Sequence, residues 1–102
     1  MYVVLCNCPP DRAVDIARPL VAEGLAACVN ILPGVRSLYV WDGAVHDEAE
    51  TTLLIKVAAD KVDALRERLR ALHPYEVPEI LALPVDTARS DPDYVAWVRG
   101  LR

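Results

Sequence analysis

Seven consecutive residues, His73-Pro74-Tyr75-Glu76-Val77-Pro78-Glu79, constrain this chain more than any other stretch, because they join a helical pattern to a strand pattern. Before them, Val62, Leu65, Leu69 and Leu72 recur at helical spacing. After them, Val77, Leu81, Leu83 and Val85 share one parity, as strand side chains on one face do. Pro74 keeps His73 out of the helical basin and removes a backbone donor, so the helix must stop there. Pro78 and Pro84 lack the donor a central strand needs, which assigns the strand 77–85 to a sheet edge. An imidazole, a phenol and two carboxylates are thus held in one short, stiff segment.

The rest of the chain supplies matching elements. Tyr2 to Cys8 reads as a short buried strand, and Pro9-Pro10-Asp11 ends it and opens a helix. Ala13, Ile16, Ala17, Leu20 and Gly24 line one helical face, with Pro19 a misfit that costs a hydrogen bond. Leu25 to Leu32 is too short for a second long helix and reads as a strand. Pro33-Gly34 bends it, and β-formers carry it on from Val35 to Trp41. Asp42-Gly43 is the strongest hairpin signal present, and Val45 to Val57 returns as the antiparallel partner. A helix over 60–72 and a final helix over 91–101, with Tyr94, Trp97, Val98 and Leu101 on one face, complete the order.

That order, β-α-β-β-α-β plus a C-terminal helix, predicts an α+β, ferredoxin-like fold with a four-stranded antiparallel sheet. With 102 residues the chain has room for one core and one domain, residues 1–102. Both helices of such a fold cover the same face of the sheet, so the other face should be polar if it met water. Yet Val3 with Val4, Leu38 with Tyr39, Val40 with Trp41, Leu53 with Leu54 and Leu81 with Ala82 place apolar groups on both parities. The expectation is a sheet that packs on further copies of itself.

Charge and cysteine content narrow the partners. The formal net charge is -4, and Arg66, Arg68 and Arg70 are interleaved with Asp63 and Glu67, so nucleic acid is a poor match. No apolar run approaches the roughly 20 residues of a membrane span, and no charged and apolar leader opens the sequence, which predicts a cytoplasmic protein. Three cysteines exclude a complete disulfide framework.

Several side chains could carry chemistry, each with a plainer use. His73 carries an imidazole, which could ligate a metal or move a proton; otherwise it caps its helix by donating to free carbonyls. Cys6 and Cys8 point to one side of a strand, as soft ligands or as small buried hydrophobes, and Cys28 reads as core. Cys8, ahead of a helix, is the one residue on which a hydrolase or redox enzyme could be built. Glu48, Glu50, Glu76 and Glu79 are oxygen ligands or solvated strand ends, and Trp41, Tyr39 and Tyr75 are pocket walls or interface anchors. No phosphate loop, nucleophile elbow, His-Glu-x-x-His or paired Cys-x-x-Cys is present, and the expectation is that the protein is not an enzyme.

Taken together, Ala26-Ala27-Cys28-Val29-Asn30-Ile31, Pro33-Gly34-Val35 with Ser37, Tyr39, Trp41 and Gly43, Glu50, Ile55-Lys56, the 73–79 run and Leu83-Pro84-Val85 resemble the CutA divalent-cation tolerance family. The resemblance implies a cytoplasmic homotrimer with PII-like architecture and a role in tolerance of copper or other divalent metal ions. It implies a metal site at Cys6 and His73, where His73 matches the second histidine of a family His-His pair and Leu72 stands in place of the first. It leaves open a regulatory or scaffold role in which Trp41, Glu50, Tyr75 and Glu79 line a cleft between subunits that takes a small ligand or a partner.

Overall fold

The structure is a computed structural model, and it describes residues 1–100. Four strands, β1 (Tyr2–Cys8), β2 (Cys28–Trp41), β3 (Ala44–Val57) and β4 (Ile80–Pro84), form one antiparallel sheet in the order β2-β3-β1-β4. Helices α1 (Ala13–Ala22) and α2 (Val62–Leu72) connect them in the split arrangement expected, and α3 (Pro92–Val98) follows β4.

The core lies between one sheet face and the first two helices. Val4, Cys6 and Cys8 of β1 stand opposite Ile55, Leu53 and Thr51 of β3, and all six are buried. Ile16 and Leu20 of α1 and Leu65 and Leu69 of α2 close over them. The helical spacing seen in the sequence is therefore the buried face. Burying a side chain of this size stabilises the fold by about 1.5–3 kcal/mol.

Several boundaries differ from the expectations, each for a local reason. Gly24 does not continue the α1 face. Its φ of 73° takes the chain out of the helix, and the N–H groups of Leu25 and Ala26 both donate to the Leu20 carbonyl. The second strand consequently starts at Cys28 rather than Leu25. Pro19 sits inside α1 and deprives the Asp15 carbonyl of its i+4 donor, while its own carbonyl accepts from the Glu23 N–H. The fourth strand begins at Ile80, not Val77, because the chain from Pro74 to Val77 is bent and Pro78 has no N–H for a ladder. The last helix ends at Val98, and Leu101 lies outside the described residues.

Pro33-Gly34 does not divide the second strand. The pairing passes from Leu32↔Thr52 to Val35↔Glu50, so β2 advances three residues while β3 advances two. Gly34, with φ 79°, supplies the positive dihedral of this bulge. The extra residue reverses the parity of β2. Beyond it, Val35, Ser37, Tyr39 and Trp41 stand on the same face as Glu50, Glu48 and His46.

The β2–β3 hairpin runs well past the two helices. The molecule measures 47 × 27 × 22 Å with a radius of gyration of 14.5 Å, against about 13 Å for a compact chain of this length. Asp42 and Gly43, with φ of 52° and 75°, close the tip as a two-residue turn. Both faces of this arm present apolar groups to solvent: Leu38, Val40 and Val45 on one, Tyr39 and Trp41 on the other.

Candidate functional site

At the C-terminus of α2 the chain folds around one imidazole. His73 takes an extended conformation and its N–H closes the helix on Leu69 O. Its ring does not cap the last carbonyls of α2, contrary to the simpler expectation. Instead Nε2 lies 2.7 Å from the Asn7 carbonyl oxygen, and Nδ1 accepts the Tyr75 N–H at 3.1 Å. That pattern requires the tautomer protonated on Nε2. The β1–β4 ladder ends at Cys6↔Ile80, so the imidazole engages Asn7 where β4 gives out.

Tyr75, placed by that turn, tilts over the His73 ring with centroids 4.8 Å apart and reaches across to β3. Its hydroxyl donates to Glu50 Oε2 at 3.2 Å. Burial and then the Glu50 charge push the Tyr75 phenol up to about 12. Glu50 is only 7% exposed although it lies on the helix-free face. Trp41, Glu50, Tyr75 and Glu79 thereby line one concavity of about 790 Å³, together with Asn7 and Glu76. Its size falls within the range of ligand pockets.

Further residues join this face that the sequence did not mark as a group. Tyr39 stacks on His46 with ring centroids 5.3 Å apart, and His46 Nδ1 lies 3.6 Å from Glu48 Oε1. Burial and a hydrogen bond to Glu48 raise the Tyr39 phenol. Arg36 enters the lining but is held by Asp47 through two hydrogen bonds of 2.8 and 2.6 Å. The parity reversal at Gly34 was the signal that could have grouped Tyr39 and Trp41 with Glu50. Asn7 could have been found from its place between Cys6 and Cys8, which turns its side chain away from theirs.

Cys6 and His73 do meet, and they do so at one atom. The Cys6 thiol points at the same Asn7 oxygen, 3.8 Å away, that His73 Nε2 engages. The geometry nevertheless does not fit a resident metal. Both imidazole nitrogens are occupied, and the thiol is fully buried. Burial, followed by Cys8, Glu79 and Glu50, raises the Cys6 pKa to about 12. Leu72 packs against the core and offers no donor beside His73. Among the described residues no three His, Cys, Asp or Glu side chains converge to hold a metal ion.

Cys8 is buried as well, and its thiol points at the Thr51 carbonyl, 3.7 Å away. Its pKa is raised by burial and by Glu50, the opposite of an activated nucleophile. Among the described residues no helix is long and apolar enough to cross a membrane.

Comparison with known proteins follows this architecture closely. The family profile described as CutA1 divalent ion tolerance protein matches residues 2–100. A divalent-cation tolerance protein CutA of Thermus thermophilus is 48% identical over 98 residues, which cover 95% of this chain and 93% of that protein. A CutA homolog of Xenopus laevis is 47% identical over 90% of this chain, which spans only 60% of that longer protein. Among solved structures, the PII-like protein CutA of Nostoc sp. PCC 7120 superposes with a TM-score of 0.94 at 44% identity, covering 99% of this chain and 96% of that one. The Thermus thermophilus divalent cation tolerance protein gives 0.90 at 47% identity, covering 97% and 95%.

Proposed function

The chain belongs to the CutA1 divalent ion tolerance protein family, and on that footing we propose that it works as a homotrimer, PII-like in architecture, whose site is the Trp41–Glu50–Tyr75–Glu79 cleft completed by a neighbouring copy. The observation that carries this reading is the β2–β3 arm, whose two faces both expose large apolar side chains beyond the helices. Leu38, Val40 and Val45 are 65, 67 and 74% exposed. A face of that kind left in water would drive association at about 25 cal/mol per Å² of apolar surface covered. Leu81 and Leu83 of edge strand β4, also exposed, add apolar surface on the helix-free side.

In this reading the cleft serves a regulatory or scaffold role in the response to divalent ions. The relatives' names describe tolerance proteins rather than enzymes, in keeping with a binding role. Three free cysteines suit a reducing compartment, which supports a cytoplasmic location. Sedimentation at micromolar protomer concentration tests the assembly. A species of three times the 11.2 kDa chain mass is expected, and a stable soluble monomer would overturn the reading.

A second reading, copper or another divalent ion at Cys6 and His73, draws support from their convergence on the Asn7 carbonyl. It requires the thiol to lose its proton and the imidazole to release one of its two hydrogen bonds. Titration of the reduced protein with Cu(I) and Cu(II) tests it. Affinity unchanged in a Cys6→Ser, His73→Ala double variant would dismiss it.

A further inference from the structure

The cleft carries chemical information beyond its outline. Its one nine-tenths-buried charged side chain is Glu50, whose Oε2 accepts from Tyr75 while Oε1 accepts no hydrogen bond. Among the described residues no fully enclosed side-chain oxygen lacks a partner, so Oε1 is reachable from the cavity. Glu76 and Glu79 add two further carboxylates to the lining, whereas its single cation, Arg36, is already committed to Asp47. Trp41, Tyr39 and Tyr75 supply aromatic wall between these charges.

The field this chain sets up in the cleft is accordingly negative, and it acts on nearby groups. Burial is the larger influence on Tyr75, Tyr39 and Cys6, but Glu50 adds to the upward push on all three. On this chain's side of the cleft a phosphate or nucleotide would meet three carboxylates and one cation already paired with Asp47. Among the described residues a divalent ion would find no converging set of three His, Cys, Asp or Glu side chains. Aromatic faces, moreover, cannot replace the water that such an ion gives up.

A carboxylate between aromatic walls matches a third class of ligand. Weakly hydrated alkylammonium ions are attracted to the faces of Trp and Tyr and pair with a carboxylate at little desolvation cost. We propose that the cleft around Glu50 binds a small organic ammonium cation, with Glu50 and Glu79 as counter-charges and Trp41, Tyr39 and Tyr75 as its aromatic walls. This deepens, and rests on, the reading of the cleft as the working site.

The test uses choline chloride as probe and 3,3-dimethyl-1-butanol, its neutral isostere, as control, followed by calorimetry and thermal shift on the metal-free protein. Saturable choline binding is expected, with the isostere at least about tenfold weaker. Glu50→Gln should weaken choline binding by about tenfold, and Glu79→Gln, at an exposed position that leaves the fold intact, by a smaller factor. Equal binding of the isostere, no binding of choline to wild type, or displacement of choline by equimolar Ni²⁺ with loss of Ni²⁺ binding in Glu50→Gln would each overturn the assignment. Sedimentation of the same samples separates the two levels. A trimer that ignores choline refutes the ligand class alone, whereas a monomer refutes the shared cleft as well.

Discussion

Replacing His73 by alanine distinguishes a structural clamp from an idle metal ligand. In the structure the ring makes two hydrogen bonds, to the Asn7 carbonyl and from the Tyr75 N–H, each worth about 1 kcal/mol net. It also packs against the Tyr75 ring, which adds about 0.5–1.5 kcal/mol. The ring is 7% exposed, so little of this is recovered by water. His73→Ala is therefore expected to lower stability by about 2–4 kcal/mol even with a chelator present. With m of about 2 kcal/mol/M, within the ordinary range, the urea midpoint falls by about 1–2 M at fixed protomer concentration. His73→Gln, whose amide can reach the Asn7 carbonyl, should recover about half of that loss. An alanine variant within about 0.5 kcal/mol of wild type under chelation would refute the clamp.

Three more outcomes follow from other parts of the molecule. Leu38→Glu with Val40→Glu should leave a soluble single chain in sedimentation; retention of the wild-type mass would remove the arm from the interface. Gly34→Val places a β-branched residue at φ 79° and should cost about 1–2 kcal/mol, read as a lower melting temperature, with no change predicted for the open space around the site. Cys6, raised from 9.0 to about 12, should react with iodoacetamide at pH 8 about a thousandfold more slowly than an ordinary thiol, and at the ordinary rate after unfolding. Because the Cys6 and Tyr75 pKa values rise on folding, their contribution is intact below about pH 9 and is lost as pH climbs towards 12, so urea midpoints should decline over that alkaline window.

Much of the fold was legible because periodicity reports burial directly. Ile16 and Leu20 of α1, Leu65 and Leu69 of α2, and Leu53, Ile55 and Val57 of β3 stand in the core where their spacing places them. Asp42-Gly43 marked the hairpin by its backbone requirement alone. The misreadings at the site share a cause, namely hydrogen bonds between residues distant in sequence. Periodicity cannot show that the His73 ring would turn away from its own helix to a carbonyl 66 positions earlier. Nor does it show that the resulting bend would delay β4 to Ile80. Trp41, Glu50, Tyr75 and Glu79 could be named one by one from residue type. Their common wall depends on a register shift and on a phenol–carboxylate bond across 25 residues, neither of which is a local pattern.

The single surplus residue at Pro33-Gly34 acts as a phase shifter for everything distal to it. Were it drawn into the ladder instead of bulged, the two long strands would pair without a break and the turn at the tip would lengthen by one residue. The rings of Tyr39 and Trp41 would then emerge on the side now held by Leu38 and Val40, and the latter would confront Glu50. The side on which the distal rings emerge is thus decided by a one-residue kink part-way along the ribbon and not by its tip.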